Sequence, residues 1–215
     1  MNNKNVLYSI MAAVGLFGLL LGAYYLTNSP SKPIQEMITV RKDDHVKWSP
    51  SQKHILVEYS DLECPACKTF NDLLNSFEAS QSANHGITQK VTLVFRHFPL
   101  YQIHPRAYSS AYGAEAAAKQ NKFYEMVDAI FDDQENLEKT TDIQAFLTSK
   151  ANKIGLQKAL FEQTRKSQAV KDRVQRDVTE GDAAGINGTP TFFLDGIKME
   201  YTSAQDFIDQ LKQLQ

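Results

Sequence analysis

Two cysteines, Cys64 and Cys67, are the only thiols in this 215-residue chain, and just Pro65 and Ala66 separate them. An apolar, β-branched run, His54-Ile55-Leu56-Val57, precedes the pair. After it, Phe70, Leu73, Leu74 and Phe77 recur at i, i+3, i+4 and i+7, the period of a helix with one buried face. The thiols therefore lie where a strand feeds a helix, with Cys64 as N-cap and Pro65 at the first helical position, where its missing N–H costs nothing. Free N–H groups and the positive end of the helix dipole favour thiolate over thiol there. Such a site can bring a cysteine from about 8.5 into roughly the 3.5–7.5 range. Cys64 is the expected nucleophile, and Cys67, one turn on and more enclosed, the expected resolving thiol. A structural disulfide and half of a zinc site are the competing readings. Zinc requires about four ligands, and His45, His54, His85, His97 and His104 form no closely spaced pair, so no metal is expected.

The elements that must position these thiols follow from pattern. A short edge strand is predicted at 37–40, a turn with Trp48 packed beneath it at 43–48, the central strand at 54–59, and the cysteine-bearing helix to about residue 82. Val91-Thr92-Leu93-Val94-Phe95-Arg96-His97 reads as a second strand. Between about 104 and 183 the pattern changes to five helical segments with no strand among them. Strand character returns at 191–194. Asp195-Gly196 signals a hairpin, 197–201 a returning strand, and 205–214 a closing amphipathic helix. The order predicts one α/β sheet domain interrupted by an all-helical insertion.

Residues 6–26 carry no charge and span roughly 30 Å as a helix, the thickness of a bilayer core. They are longer than a signal peptide's apolar region and lack a small-x-small cleavage site, so an uncleaved transmembrane anchor is expected. Lys4 on the near flank places residues 1–5 in the cytoplasm and the remainder outside, in a bacterial periplasm or at the cell exterior. That compartment suits disulfide chemistry. Residues 27–36 form a linker and 37–215 the folded domain. A net charge of −2 with no basic patch argues against nucleic acid as a partner.

The chain resembles the DsbA-like branch of the thioredoxin-fold thiol:disulfide oxidoreductases, over roughly residues 44–214. Four stretches carry the resemblance: Val57-Glu58-Tyr59-Ser60-Asp61 leading into Cys64-Pro65-Ala66-Cys67; Phe95-Arg96-His97-Phe98-Pro99-Leu100; the helical block; and Gly185-Ile186-Asn187-Gly188-Thr189-Pro190-Thr191-Phe192-Phe193 followed by Asp195-Gly196. It implies a thioredoxin fold with an inserted helical subdomain, no cofactor beyond the Cys64–Cys67 disulfide, and a cis Pro190 facing that disulfide. A trans proline opening an edge strand is the alternative. A cis bond leaves the Thr189 main chain free to pair with an extended substrate.

The resemblance also implies that Glu58 is a buried acid beneath the second cysteine, with a raised pKa, able to accept the Cys67 proton. The alternative is an edge carboxylate turned to solvent. Asp61 and Glu63 either oppose the Cys64 thiolate or lie solvated; with Arg96, His97 and His104 they receive no catalytic role. The implied activity is a membrane-tethered oxidase that introduces disulfides into exported proteins and is recycled by a membrane redox partner. A reductase or isomerase is the alternative, and a non-catalytic peptide-binding or chaperone-like module the remote one. Pro65-Ala66 departs from the Pro-His of the most oxidising relatives.

Overall fold

The computed structural model describes residues 11, 13–21, 34–80 and 86–214. Residues 1–32 and 33–215 form two separate units. Of the expected anchor at 6–26, most lies outside the described residues; residues 11 and 13–21 are helical with exposed side chains. Among the described residues no helix is long and apolar enough to cross a membrane.

In the second unit, β2 (His54–Ser60) occupies the centre of a mixed sheet with β1 (His45–Trp48), β3 (Val91–His97), β4 (Thr191–Leu194) and β5 (Ile197–Lys198), in the order β1-β3-β2-β4-β5. β2 runs parallel to β3 and antiparallel to β4, so Glu58 sits opposite Phe95 on one side and Phe192 on the other. Buried on both faces, β2 reads as a continuous apolar run rather than an alternation. On one face Leu56, Leu93 and Phe192 pack under α1 (Pro65–Ser80) and the closing helix, through Leu74, Phe77, Phe207 and Leu211. On the other, Ile55, Val57, Tyr59, Val94 and Phe193 pack with Met37, Phe98 and Ile186.

The insertion runs α2 (Ala107–Ala118), α3 (Phe123–Phe131), α4 (Gln134–Lys139), α5 (Ile143–Lys153), α6 (Lys158–Thr164) and α7 (Gln168–Ala183), and α8 (Ala204–Lys212) closes the fold. A side-chain carbon at Gly181 of α7 would lie 2.7 Å from the Phe98 ring, so only glycine allows this helix so near the sheet.

Several expectations need correction. Residues 37–40 are not an edge strand: Gln35–Met37 is a 3₁₀ turn. The carbonyls of Glu36 and Thr39 accept from the Arg96 guanidinium, at 2.8 and 2.9 Å, instead of from a neighbouring strand. Arg96 is fully buried and also pairs with Asp44 at 3.0 Å. The edge strand is instead His45–Trp48, where a turn was expected. Its inward side chains are polar, His45 meeting Glu115 and Lys47 meeting Asn75, so no apolar alternation announces it. The insertion contains α4, unread in the sequence because Gln-Glu-Asn-Leu-Glu-Lys offers one apolar residue. The returning strand ends at Lys198, not 201; the Glu200 carbonyl accepts from Gln210 Nε2 instead. Asp195 and Gly196 take positive φ, 49° and 81°, as a tight hairpin turn requires.

Candidate active site

Cys64 sits at the mouth of α1. Its N–H donates to the Asp61 carbonyl (3.1 Å), closing the turn out of β2, and its carbonyl accepts from Lys68 N–H (3.1 Å), the first bond of the helix. Pro65 and Ala66 are exposed, Cys64 is 7% exposed and Cys67 is sealed. Both thiols are free. They belong to one apolar cluster with Leu62, Phe95, Phe123, Met126, Ile130 and Phe131, so the insertion roofs the pair.

The two sulfurs have opposite electrostatics. The Cys67 S–H pointed at Cys64, with the Cys67 and Ala66 N–H groups against the drag of burial, brings the Cys64 thiol down to about 5. Burial first, then the adjacent Cys64, pushes Cys67 well above the ordinary thiol value. The Asp61 N–H donates to Cys67 Sγ at 3.4 Å. One sulfur is therefore a thiolate at neutral pH and the other holds its proton.

The Thr189–Pro190 bond is cis, and the Thr189 carbonyl lies 3.4 Å from Cys64 Sγ, which brings the loop before β4 onto the reactive sulfur. Thr189 and Pro190 are half-buried. Glu58 is buried, 4% exposed, not turned to solvent. Its Oε1 has no hydrogen-bond partner among the described residues, and burial pushes its carboxyl up to about 7. The Tyr201 hydroxyl, raised to about 12 by burial and next by the charges of Glu58 and Cys67, lies within electrostatic reach of both. A neutral-range acid and a proton-holding thiol thus share one environment.

Asp61 and Glu63 are neither solvated nor unpaired. The Asp61 carboxylate accepts from the Glu63 and Leu100 N–H groups and meets His104 Nδ1, each at 2.8 Å. Glu63 accepts from Arg106, through its N–H at 2.6 Å and Nη1 at 3.1 Å. Gln134 of α4 donates to the Leu62 and Cys64 carbonyls, at 3.4 and 3.1 Å. Sequence reasoning found neither Arg106 nor Gln134, because nothing local ties them to a motif 43 and 70 residues upstream. His97 is buried, with Nε2 3.2 Å from Glu115. Among the described residues no group of three or more His, Cys, Asp or Glu side chains is arranged to hold a metal ion.

A cysteine pair at a strand–helix junction, faced by a cis-proline loop, is an arrangement suited to disulfide exchange. Residues 41–213 match the thioredoxin family, and the chain belongs to it. Its fold is shared with Wolbachia pipientis alpha-DsbA1 (TM-score 0.69, 22% identity, 83% of this chain and 94% of that one). It is shared too with Pseudomonas aeruginosa DsbA2 (TM-score 0.60, 23% identity, 80% and 94%). Among curated proteins the chain is 31% identical over 194 residues to the Na(+)/H(+) antiporter NhaA 1 of Mycobacterium sp. (strain KMS), covering 87% of this chain and 30% of the relative. The corresponding protein of Mycolicibacterium vanbaalenii is 34% identical over 175 residues, covering 79% and 27%. The chain spans less than a third of the length of these curated relatives.

Proposed function

We propose that this protein oxidises thiols of exported polypeptides by disulfide exchange at Cys64–Cys67. The observation that carries the reading is the acidity of Cys64, brought down to about 5 beside exposed Pro65 and Ala66. A substrate thiolate attacks Cys64 Sγ, the Cys64–Cys67 bond breaks, and Cys67 leaves with the electron pair and takes a proton. Glu58, with its carboxyl near neutrality, is the group proposed to supply that proton. A second substrate thiolate then attacks the substrate sulfur of the mixed disulfide and Cys64 departs as thiolate. The substrate gains a disulfide, and the enzyme pair carries away two electrons.

A stabilised Cys64 thiolate makes Cys64 a good leaving group and favours the reduced enzyme, which supports the oxidising direction over reductase or isomerase. An outside partner of the membrane redox type then reoxidises the pair. The uncharged run at 6–26 supports a membrane-tethered, extracytoplasmic location, as does the likeness to chains named as antiporters.

The test is the reduction potential of Cys64–Cys67 at equilibrium with glutathione. A value near roughly −120 mV is expected; one near roughly −270 mV overturns the oxidising direction and points to a reductase. Cys64→Ser is expected to abolish exchange with a thiol-bearing peptide. Full activity in that variant leaves the non-catalytic binding module as the reading.

A further inference from the structure

Asp61 and Glu63 place two carboxylates within three residues of a sulfur that works as an anion, which is the wrong sign for stabilising it. Both are buried, 1% and 3% exposed, where solvent screens little. The chain has answered each with donors from one later segment. Leu100 and His104 serve Asp61, and Arg106 serves Glu63 with its main chain and its guanidinium together. The rest of the Arg106 fork is fixed as well: Nε and Nη2 both donate to the Thr140 carbonyl at the end of α4, at 3.1 and 2.7 Å. From that same helix Gln134 holds the Leu62 and Cys64 carbonyls. The nearby cation on α1, Lys68, is engaged with Asp72 at 2.6 Å. The loop carrying Cys64 is therefore gripped from the insertion at its carboxylates and at its carbonyls.

We infer that Arg106 is a positioning and charge-neutralising residue that sets the acidity and reduction potential of Cys64 by holding the carboxylate of Glu63, so that the helical insertion tunes the redox pair as well as covering it. The inference rests on the exchange reading of Cys64 but not on its direction. Without the guanidinium, the Glu63 charge acts on the Cys64 thiolate as an uncompensated like charge in a buried site, which disfavours the thiolate. The reduced enzyme is then less stabilised, and the disulfide becomes a weaker oxidant.

The experiment follows thiolate absorbance at 240 nm against pH, together with the glutathione equilibrium, in the full chain and its variants. Arg106→Gln is expected to raise the Cys64 pKa by about 1 or more. It should also shift the exchange equilibrium about tenfold toward the disulfide, equivalent to about 30 mV more reducing. Glu63→Gln alone, which keeps an acceptor for Arg106, is expected to move both readouts the opposite way. The double variant should return the Cys64 pKa to within about 0.5 of the parent. A pure strut would lose melting temperature in Arg106→Gln and again in the double variant, with no restored pKa. That result overturns the inference, as does an Arg106→Gln pKa within about 0.3 of the parent. If Arg106→Gln does not fold, Glu63→Gln decides: an unchanged or raised pKa overturns the inference, and a lowered one upholds it. A parent protein that exchanges no disulfides at all defeats the functional reading instead, and the two failures are told apart by that control.

Discussion

Glu58 and Glu115 are both buried glutamates, and they sit at opposite ends of the acidity range. Glu58, on β2, has an oxygen without a partner, and burial takes its carboxyl up to about 7. Burial also acts on Glu115 of α2, but His45 Nε2 at 2.8 Å and His97 Nε2 at 3.2 Å outweigh it and hold the carboxylate well below its usual range. Burial is common to the two; partners differ. The contrast separates an acid proposed for proton transfer from an acid that serves as a structural anion. The first keeps one oxygen unpartnered and has only Ser60 and the charge of Lys47 to offset its burial. The second ties the edge strand, β3 and the insertion together.

The hardest way to break this contrast is to delete the paired acid. Glu115→Ala leaves His45 and His97 without their shared anion and is expected to cost about 3–5 kcal/mol, read by urea unfolding at pH 7. Removing Glu58 should do the reverse. Between about pH 4.5 and 7 the folded protein keeps the Glu58 proton while the unfolded chain has released it, so stability falls as pH rises through this window. Glu58→Gln is expected to flatten that decline and to gain about 3 kcal/mol at pH 8, with little change at pH 4. A parallel, undiminished decline in the variant would assign the titration to another group. The same substitution sharpens the functional half of the comparison. It removes the proposed proton donor, so release of Cys67 from the disulfide is expected to slow about 100-fold, measured by stopped-flow reduction with a small thiol. The smallest effect marks the baseline: Lys68→Ala breaks an exposed pair with Asp72 and should change stability by less than about 0.5 kcal/mol.

The two glutamates also separate what sequence could disclose from what it could not. Cys64, Cys67, the strand before them and the helix after them are contiguous, and each carries a local signal: a β-branched run, a proline at the first helical position, a helical apolar period. The Asp195-Gly196 hairpin is likewise a short-range pattern, whereas the cis bond at Pro190 came from the family resemblance and not from its neighbours. Glu58 was legible as a charge inside an apolar strand. Glu115, in contrast, looks like any acid in an alanine-rich helix, because its partners are 70 and 18 residues away. Asp61 and Glu63 stayed open between opposing the thiolate and lying solvated for the same reason: their donors arrive from Leu100, His104 and Arg106. The strand His45–Trp48 and helix Gln134–Lys139 were lost because tertiary polar contacts, not apolar periodicity, hold them in place.

Arg96 has a consequence of a mechanical kind. The segment leading into the sheet is attached at two places: Ile34 N–H donates to the Gly196 carbonyl at 2.9 Å, and the buried Arg96 guanidinium grips the carbonyls of Glu36 and Thr39 and the carboxylate of Asp44. A pulling force arriving along the chain from residue 33 meets the hairpin bond first and the guanidinium clamp second, before any strand is asked to slide. None of Asp61, Glu63, His104, Arg106 and Gln134 stands in that line. Tension on the leading segment therefore loads the β4–β5 turn and the Arg96 clamp first, and reaches β2 through the clamp's bond to the Tyr59 hydroxyl.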